Sequence, residues 1–349
     1  MRLRASDIHL EPTRTGGRVR LRVDGILRES EQLARELFHP MVSRVKLLAA
    51  MDIAERRVPQ DGRYLVQRLE RCLDARVSSM PTIDGEKLVI RLLDMQAEVP
   101  SLAGLGMTPL ILARFRKVVH APHGFVVVCG PTGSGKTTTL YAALAERNVE
   151  GQSICTVEDP IEVQLAGVAQ VQVNARAGLT FASALRAFLR QDPNVIMLGE
   201  MRDTESASVA MSAALSGQLV MTTLHASDAP RAIERLAELG LGRQTLAAGL
   251  SAVISQRLVR RLCRDCRRAA GCEHCGGTGY RGRTAIFEFL PMTDAIRSMI
   301  AQGSPPLSLA EIAMRSGYEP MMSAGASLVA GGETSRGELE RVLGSEDAA

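Results

Sequence analysis

The chain has 349 residues, 46% hydrophobic and 23% charged, enough to bury a sizeable core across two domains. A net charge of +4 against 42 basic and 38 acidic residues does not mark a nucleic-acid surface, and 3% aromatics without tryptophan offer little for stacking on single strands. No apolar run approaches the ~18 residues of a membrane span, and the opening MRLRASDIHLEP lacks a signal-peptide apolar region.

Residues 1–96 read as a small α+β domain. Arg18 to Val23, RVRLRV, alternates charged and apolar side chains as a half-buried strand does, with Gly16-Gly17 before it and Asp24-Gly25 after it as hairpin-type turn signals. Ala34 to Met51 places apolar residues at Leu37, Met41, Val45 and Leu48, the stripe of an amphipathic helix. Short strands return from Gly62 to Leu93, with a turn near Asp84-Gly85. Residues 97–106, AEVPSLAGLG, carry Pro and Gly without periodicity and read as a linker.

From Met107 onward helices alternate with short apolar strands, the signature of a parallel α/β sheet. The expected strands are Phe125–Cys129, Ser153–Val157, Val195–Leu198 and Leu219–Thr223. The expected helices are Pro109–Val119, Lys136–Glu146, Phe181–Arg190, Thr204–Ser216 and Asp228–Glu238. Ligands on such sheets bind at the carboxyl ends of the strands, so the polar residues just beyond each strand are the ones to examine.

The strongest signal follows the first of these strands. Gly130-Pro131-Thr132-Gly133-Ser134-Gly135-Lys136-Thr137, with Thr138 behind it, has the GxxxxGK[ST] form of a P-loop between a strand and a helix. Glycines let backbone N–H groups curl round phosphate oxygens, and the helix N-terminus adds positive dipole. Lys136 can reach the β- and γ-phosphates, and the Thr137 hydroxyl can ligate Mg²⁺.

Beyond the second strand stand Glu158 and Asp159, and beyond the third stands Glu200, in NVIMLGEMRD. An acidic residue there can hold Mg²⁺ through water or polarise an attacking water, although a lone one is more often a helix cap or a surface charge. Beyond the fourth strand stands His225, at the same edge, where a satisfied structural histidine is an equal rival to a functional one. Arg186 and Arg190 are four apart, on one helix face, a spacing that suits phosphate pairing and solvated salt bridges alike. Cys263-x2-Cys266 and Cys272-x2-Cys275 have the thiolate spacing of a structural zinc site, with an unusually short gap between the pairs and His274 as a lesser alternative ligand. Cys72, Cys129 and Cys155 lie in apolar strand contexts and read as inert core thiols. The cysteine usage fits a reducing compartment, the cytoplasm.

Taken together, ASDIHLEP, RVDGILRE, AERRVPQDGR and RVSSMP, then GPTGSGKTT, TVEDPIE, LRQDPNVIMLGEMRD, LVMTTLHASDA, SQRLVRRLC and GYRGRTAIFE, resemble the secretion ATPase superfamily over nearly the whole chain. That superfamily holds the type II secretion assembly ATPases and the similar type IV pilus assembly ATPases. The resemblance implies a RecA-like P-loop ATPase core at 107–262, a PAS-like N-terminal domain at 1–96, a tetracysteine zinc module at 263–283 and a C-terminal helical subdomain at 284–349. It implies a homo-hexameric ring using ATP, Mg²⁺ and Zn²⁺, peripheral to the inner membrane through platform proteins.

It also implies roles. Glu158 falls in the Asp box, Glu200 is the Walker B glutamate, and His225 falls in the His box. Arg76 and Arg91, from the N-terminal domain, approach the phosphates along with Arg186 and Arg190. The departures are Asn194 where the family has Asp, Gln218 where it has the first histidine of the His box, and the short cysteine loop. The chain is expected to begin at the family's second N-terminal domain, without the segment that docks onto the membrane partner. The expected function is ATP hydrolysis driving type II secretion pseudopilus assembly. Its nearest rival is a type IV pilus extension ATPase, and a P-loop DNA translocase is a rival of another class.

Overall fold

A computed structural model describes residues 4–68, 71–266 and 271–344. The chain divides into two compact units, one of residues 1–98 with 162–164, the other of residues 99–161 and 165–349.

The first unit contains β1 (Ala5–Thr13), β2 (Gly16–Val23), β3 (Ile26–Ala34), α1 (Arg35–Leu48), β4 (Gln60–Arg68), β5 (Arg71–Thr82) and β6 (Gly85–Asp94). Its strands form one sheet in the order β3-β2-β1-β6-β5-β4, every pair antiparallel. The β2–β3 turn is the expected Asp24-Gly25, both residues at positive φ. Gly16-Gly17, by contrast, is not a turn. It opens β2, and a Cβ on Gly17 would lie 2.0 Å from the Phe38 ring, so the glycine is the socket into which α1 packs. The face of α1 also differs from the expected stripe. Phe38, Val42, Val45 and Ala49 are buried against Leu10, Ala75, Val77, Leu88 and Ile90, whereas Leu37, Met41 and Leu48 are exposed. The helix carries two apolar rows, and the one holding the large Phe38 ring meets the socket.

The second unit is built on β7 (Gly124–Cys129), β8 (Ile154–Glu158), β9 (Ala169–Gln172), β10 (Val195–Leu198), β11 (Leu219–Leu224), β12 (Leu250–Leu262) and β13 (Tyr280–Pro291). The order is β13-β12-β7-β11-β10-β8-β9, parallel except for the antiparallel β12–β13 pair. Helices α2 (Pro109–Val119), α3 (Lys136–Arg147), α4 (Phe181–Phe188), α5 (Thr204–Leu215), α6 (Ala229–Glu238) and α7 (Arg243–Gly249) intervene, and α8 (Asp294–Gln302), α9 (Pro306–Arg315), α10 (Met321–Ala330) and α11 (Arg336–Leu343) follow. Strands β7, β8, β10 and β11 are buried at every position, which is why they read as continuous apolar runs. The span from residue 284 opens as the second half of β13, not as helix, and its helices begin only at Asp294. No helix among the described residues is long and apolar enough to cross a membrane.

Candidate active site

Because β7, β11, β10 and β8 are neighbours and parallel, their carboxyl ends bring Gly130, His225, Glu200 and Glu158 to one sheet edge in that spatial order. Four segments spread over a hundred residues of sequence meet there.

The loop from Gly130 to Gly135 bends through three glycines at positive φ (150°, 78° and 88°). Gly135 is the left-handed N-cap of α3 and offers no side chain to that cap, so the first amides of the helix remain available to a ligand. The buried Ser134 hydroxyl has no hydrogen-bond partner in the protein. The buried Lys136 ammonium donates to the Gly130 and Pro131 carbonyls at 2.8 and 2.9 Å. Thr137 is half-buried behind it, and Pro131, Thr132, Gly133 and Thr138 are exposed. An uncapped helix terminus, an unpartnered buried hydroxyl and a lysine form a donor set that suits a nucleotide polyphosphate, with the Thr137 hydroxyl suited to Mg²⁺.

Glu200 follows Gly199, whose amide donates to Val157 and whose carbonyl accepts from the Thr223 hydroxyl at 2.6 Å, so the position of Glu200 is fixed by both neighbouring strands. Its carboxylate pairs with Arg202 and lies 3.9 Å from His225 Nε2. Arg202 in turn approaches Asp159 at 3.7 Å. Burial pushes the His225 pKa below its ordinary value, and the cations Lys136 and Arg202 push the same way against Glu200.

Glu158 is placed differently. Its carboxylate is buried and accepts from the Thr156 hydroxyl at 2.6 Å, the Gln170 amide at 3.1 Å and the Tyr141 hydroxyl of α3. It ties the P-loop helix to β8 and β9, while Asp159 beside it faces Arg202. Arg186 pairs with Glu205 of α5 at 2.7 Å, and Arg190, just past the end of α4, donates to the Arg186 carbonyl at 3.0 Å. Gln218 immediately precedes β11, at the opposite end of that strand from His225, where its carbonyl accepts from the Gly124 amide. Asn194 pins β10 to β8 by accepting from the Ser153 amide at 2.8 Å.

In the first unit, Arg76 and Arg91 are paired across β5 and β6, and Arg63 of β4 is paired with Arg76. One row therefore runs Arg22, Asp7, Arg91, Arg76, Arg63 across five strands. Asp7 accepts from Arg91 at 3.1 Å, and Asp74 lies 3.6 Å from Arg76 and 3.8 Å from Arg63. Sequence reading missed Arg63 and Arg202, and also Gln256, which touches the loop from β12. The first belongs to a row visible only once strand register is known, and the last to a strand pairing between distant segments.

The four cysteines converge as their spacing suggests. All their sulfurs lie within 4.8 Å of one another, with Cys263–Cys272 at 3.9 Å and Cys272–Cys275 at 3.8 Å. The edge of a tetrahedron with ~2.3 Å zinc–sulfur bonds is about 3.8 Å, so the set fits zinc. Burial opposes a charge on Cys275, but the Cys272 and Gly279 amides, donating at 3.1 and 3.2 Å, bring its thiol down to about 6. His274 is turned onto Asp265 and Arg281 and is not one of the group. Residues 267–270, most of the short loop between the pairs, lie outside the described residues. Cys129 is buried and its thiol pushed up to about 12 by that burial, Cys155 is buried and pushed up likewise, and Cys72 is half-buried.

A strand, glycine-rich loop and helix at the edge of a mostly parallel sheet, with an acidic residue on a nearby strand end, define a P-loop α/β protein. The comparisons give the family. The model for "Type II/IV secretion system protein" matches residues 1–342, and the chain belongs to that family. It is 49% identical over 345 residues to "Type II secretion system protein HxcR" of Pseudomonas aeruginosa, covering 97% of this chain and 74% of that protein. It is 42% identical over 365 residues to "Type IV pilus assembly ATPase PilB" of Thermus thermophilus, covering 97% of this chain and 41% of that protein. Among solved structures, the pilus retraction motor PilT with bound ADP superposes with a TM-score of 0.68 at 28% identity, covering 99% of this chain and 94% of that one.

Proposed function

We propose that this protein is the Mg²⁺-dependent ATPase that powers type II secretion pseudopilus assembly at the inner membrane. The observation that carries the reading is the meeting of the P-loop, Glu200 and His225 at one sheet edge in a chain 49% identical to a type II secretion protein. The units are read as a RecA-like ATPase core at 107–262 and a PAS-like N-terminal domain at 1–96, joined by a linker at 97–106. The tetracysteine module occupies 263–283 and a C-terminal, mainly helical subdomain occupies 284–349.

The reaction is in-line attack of water on the γ-phosphate. The loop from Gly130 to Thr138 holds the phosphates through its amides and Lys136, and Thr137 would hold Mg²⁺. When bound, Mg²⁺ would supply neutralisation of phosphate charge. Glu200 orients the water, and His225 lies beside it, its Nε2 3.9 Å from the carboxylate. Glu158 assists as a positioning residue, through Tyr141 on the P-loop helix. Arg76, Arg91, Arg186 and Arg190 stabilise charge developing in the transition state, and the protein works as a homo-hexamer recruited to the membrane by platform proteins. Zinc in the cysteine cluster is structural.

Phosphate release from ATP by the purified chain, with and without EDTA, tests the enzyme reading; no Mg²⁺-dependent turnover would end it. The 42% identity to a pilus assembly ATPase sustains the second reading, pilus extension. Co-purification from native cells distinguishes the two, since a type II platform protein supports the first and a pilus platform protein the second. ATP hydrolysis stimulated by DNA would instead mark a translocase.

A further inference from the structure

The P-loop is held from beneath by a residue that no motif assigns to it. Strand β12 runs parallel to β7 with Ser255 beside Cys129, the last residue of β7. The next residue, Gln256, therefore lies where β7 gives way to the loop. It is buried, and both ends of its amide are engaged. Nε2 donates to the Ser134 carbonyl at 2.6 Å, and Oε1 accepts from the Thr139 hydroxyl of α3 at 2.8 Å. Reversing the amide would set Oε1 against the Ser134 carbonyl, two acceptors face to face, so that carbonyl keys its orientation, and the Thr139 hydroxyl holds the other end.

The consequence for the loop follows from peptide geometry. In a trans planar peptide the C=O and the following N–H point in opposite directions. Drawing the Ser134 carbonyl down onto Gln256 aims the Gly135 N–H the other way, into the concave side of the loop. The fit is close, because a Cβ on Gly135 would lie 3.1 Å from Gln256 Nε2. Arg257 secures the same underside, donating to the Gln256 carbonyl at 3.0 Å and to Ser227, two residues past His225, at 2.5 Å.

We propose that Gln256, anchored by Thr139, is a positioning residue that orients the Gly135 amide for the nucleotide's phosphates. This rests on the ATPase reading. The amide meets phosphate in ground and transition states alike, so its loss weakens binding uniformly and appears in KM rather than kcat.

The test uses the full chain with ATP and ADP. Gln256→Met, which keeps length and loses both hydrogen bonds, is expected to raise the KM for ATP and the Kd for ADP about tenfold or more, the scale of one hydrogen bond to a charged group. Its kcat at saturating ATP should stay within about threefold. Thr139→Val, which removes only the hydroxyl that anchors Oε1, should raise both constants by a smaller factor, and Thr139→Ser should restore them. Loss of packing alone would not split KM from kcat, nor be reversed by a hydroxyl. A folded Gln256→Met with wild-type KM and Kd overturns the proposal, as does a fall in kcat at unchanged KM. If Gln256→Met does not fold, Thr139→Val with wild-type constants overturns it equally. A wild-type chain that neither binds ADP nor hydrolyses ATP would instead refute the ATPase reading.

Discussion

Arg76 and Arg91 stand directly opposite one another on neighbouring antiparallel strands, with Arg63 in register on the far side of Arg76. Like charges in such positions repel, and among the described residues Asp7 and Asp74 are the carboxylates that answer them. On the proposed function, the row serves an anion rather than the sheet's own stability. Arg76→Gln is therefore expected to leave stability unchanged or slightly raised, by about 0.5 kcal/mol at most. ATP turnover should fall by roughly a hundredfold if the residue stabilises transition-state charge. Melting curves and phosphate release read both; wild-type turnover would remove Arg76 from the machinery.

Glu200→Gln keeps the shape of the side chain and loses the charge facing Arg202 and His225. Nucleotide binding should persist while turnover drops by about 10²–10⁴, the contribution of a positioned general base. Equilibrium binding of ADP beside single-turnover hydrolysis separates the two, and unchanged hydrolysis would exclude the role.

The cysteine cluster should hold one zinc per chain, measurable by elemental analysis of the purified protein. Cys275→Ser removes the sulfur that two backbone amides support. It is expected to lose the metal and lower Tm by several degrees. A metal-free wild type, or a variant that retains full zinc, would refute the site.

Glu338 gathers Arg260 and Arg341 around a carboxylate with no exposed surface. Burial opposes its charge, but the Arg341 and Arg260 guanidinium groups and the Arg260 amide hold its pKa at about 2, below the usual 4.5. The folded pKa lies below the unfolded one. Its contribution is thus complete above pH 4.5 and lost as the pH falls toward 2, worth about 3 kcal/mol in all. Glu338→Gln should cost a similar amount at pH 7 and flatten the acid limb of a Tm-against-pH curve. A parallel acid limb in the variant would contradict this.

What the sequence made legible was whatever repeats along the chain. Strands β7, β8, β10 and β11 are apolar at each position because both faces are covered, and the parallel order then fixes which polar residues share an edge. Glu200 and His225 could be found that way. Glu158 could be located but not oriented, because its turn into the core depends on Tyr141 and Gln170, which reach it from other elements. The face of α1 was misread because two apolar rows compete along it, and only the cavity over Gly17 selects Phe38. The β12–β13 hairpin was missed for a related reason. Arg257, Arg260 and Arg261 break the apolar run, and their partners, Ser227, Glu338 and Glu333, lie at least thirty positions away.

The bond between Gln256 and Ser134 joins positions 122 apart. A ribosome that has delivered the chain only through α6 has released the entire glycine-rich motif, yet not the strand that steadies it. Nucleotide gripping is then a late property in the life of the polypeptide, acquired when β12 docks beside β7. Bound nucleotide then stabilises the finished sheet more than it does the partly assembled one.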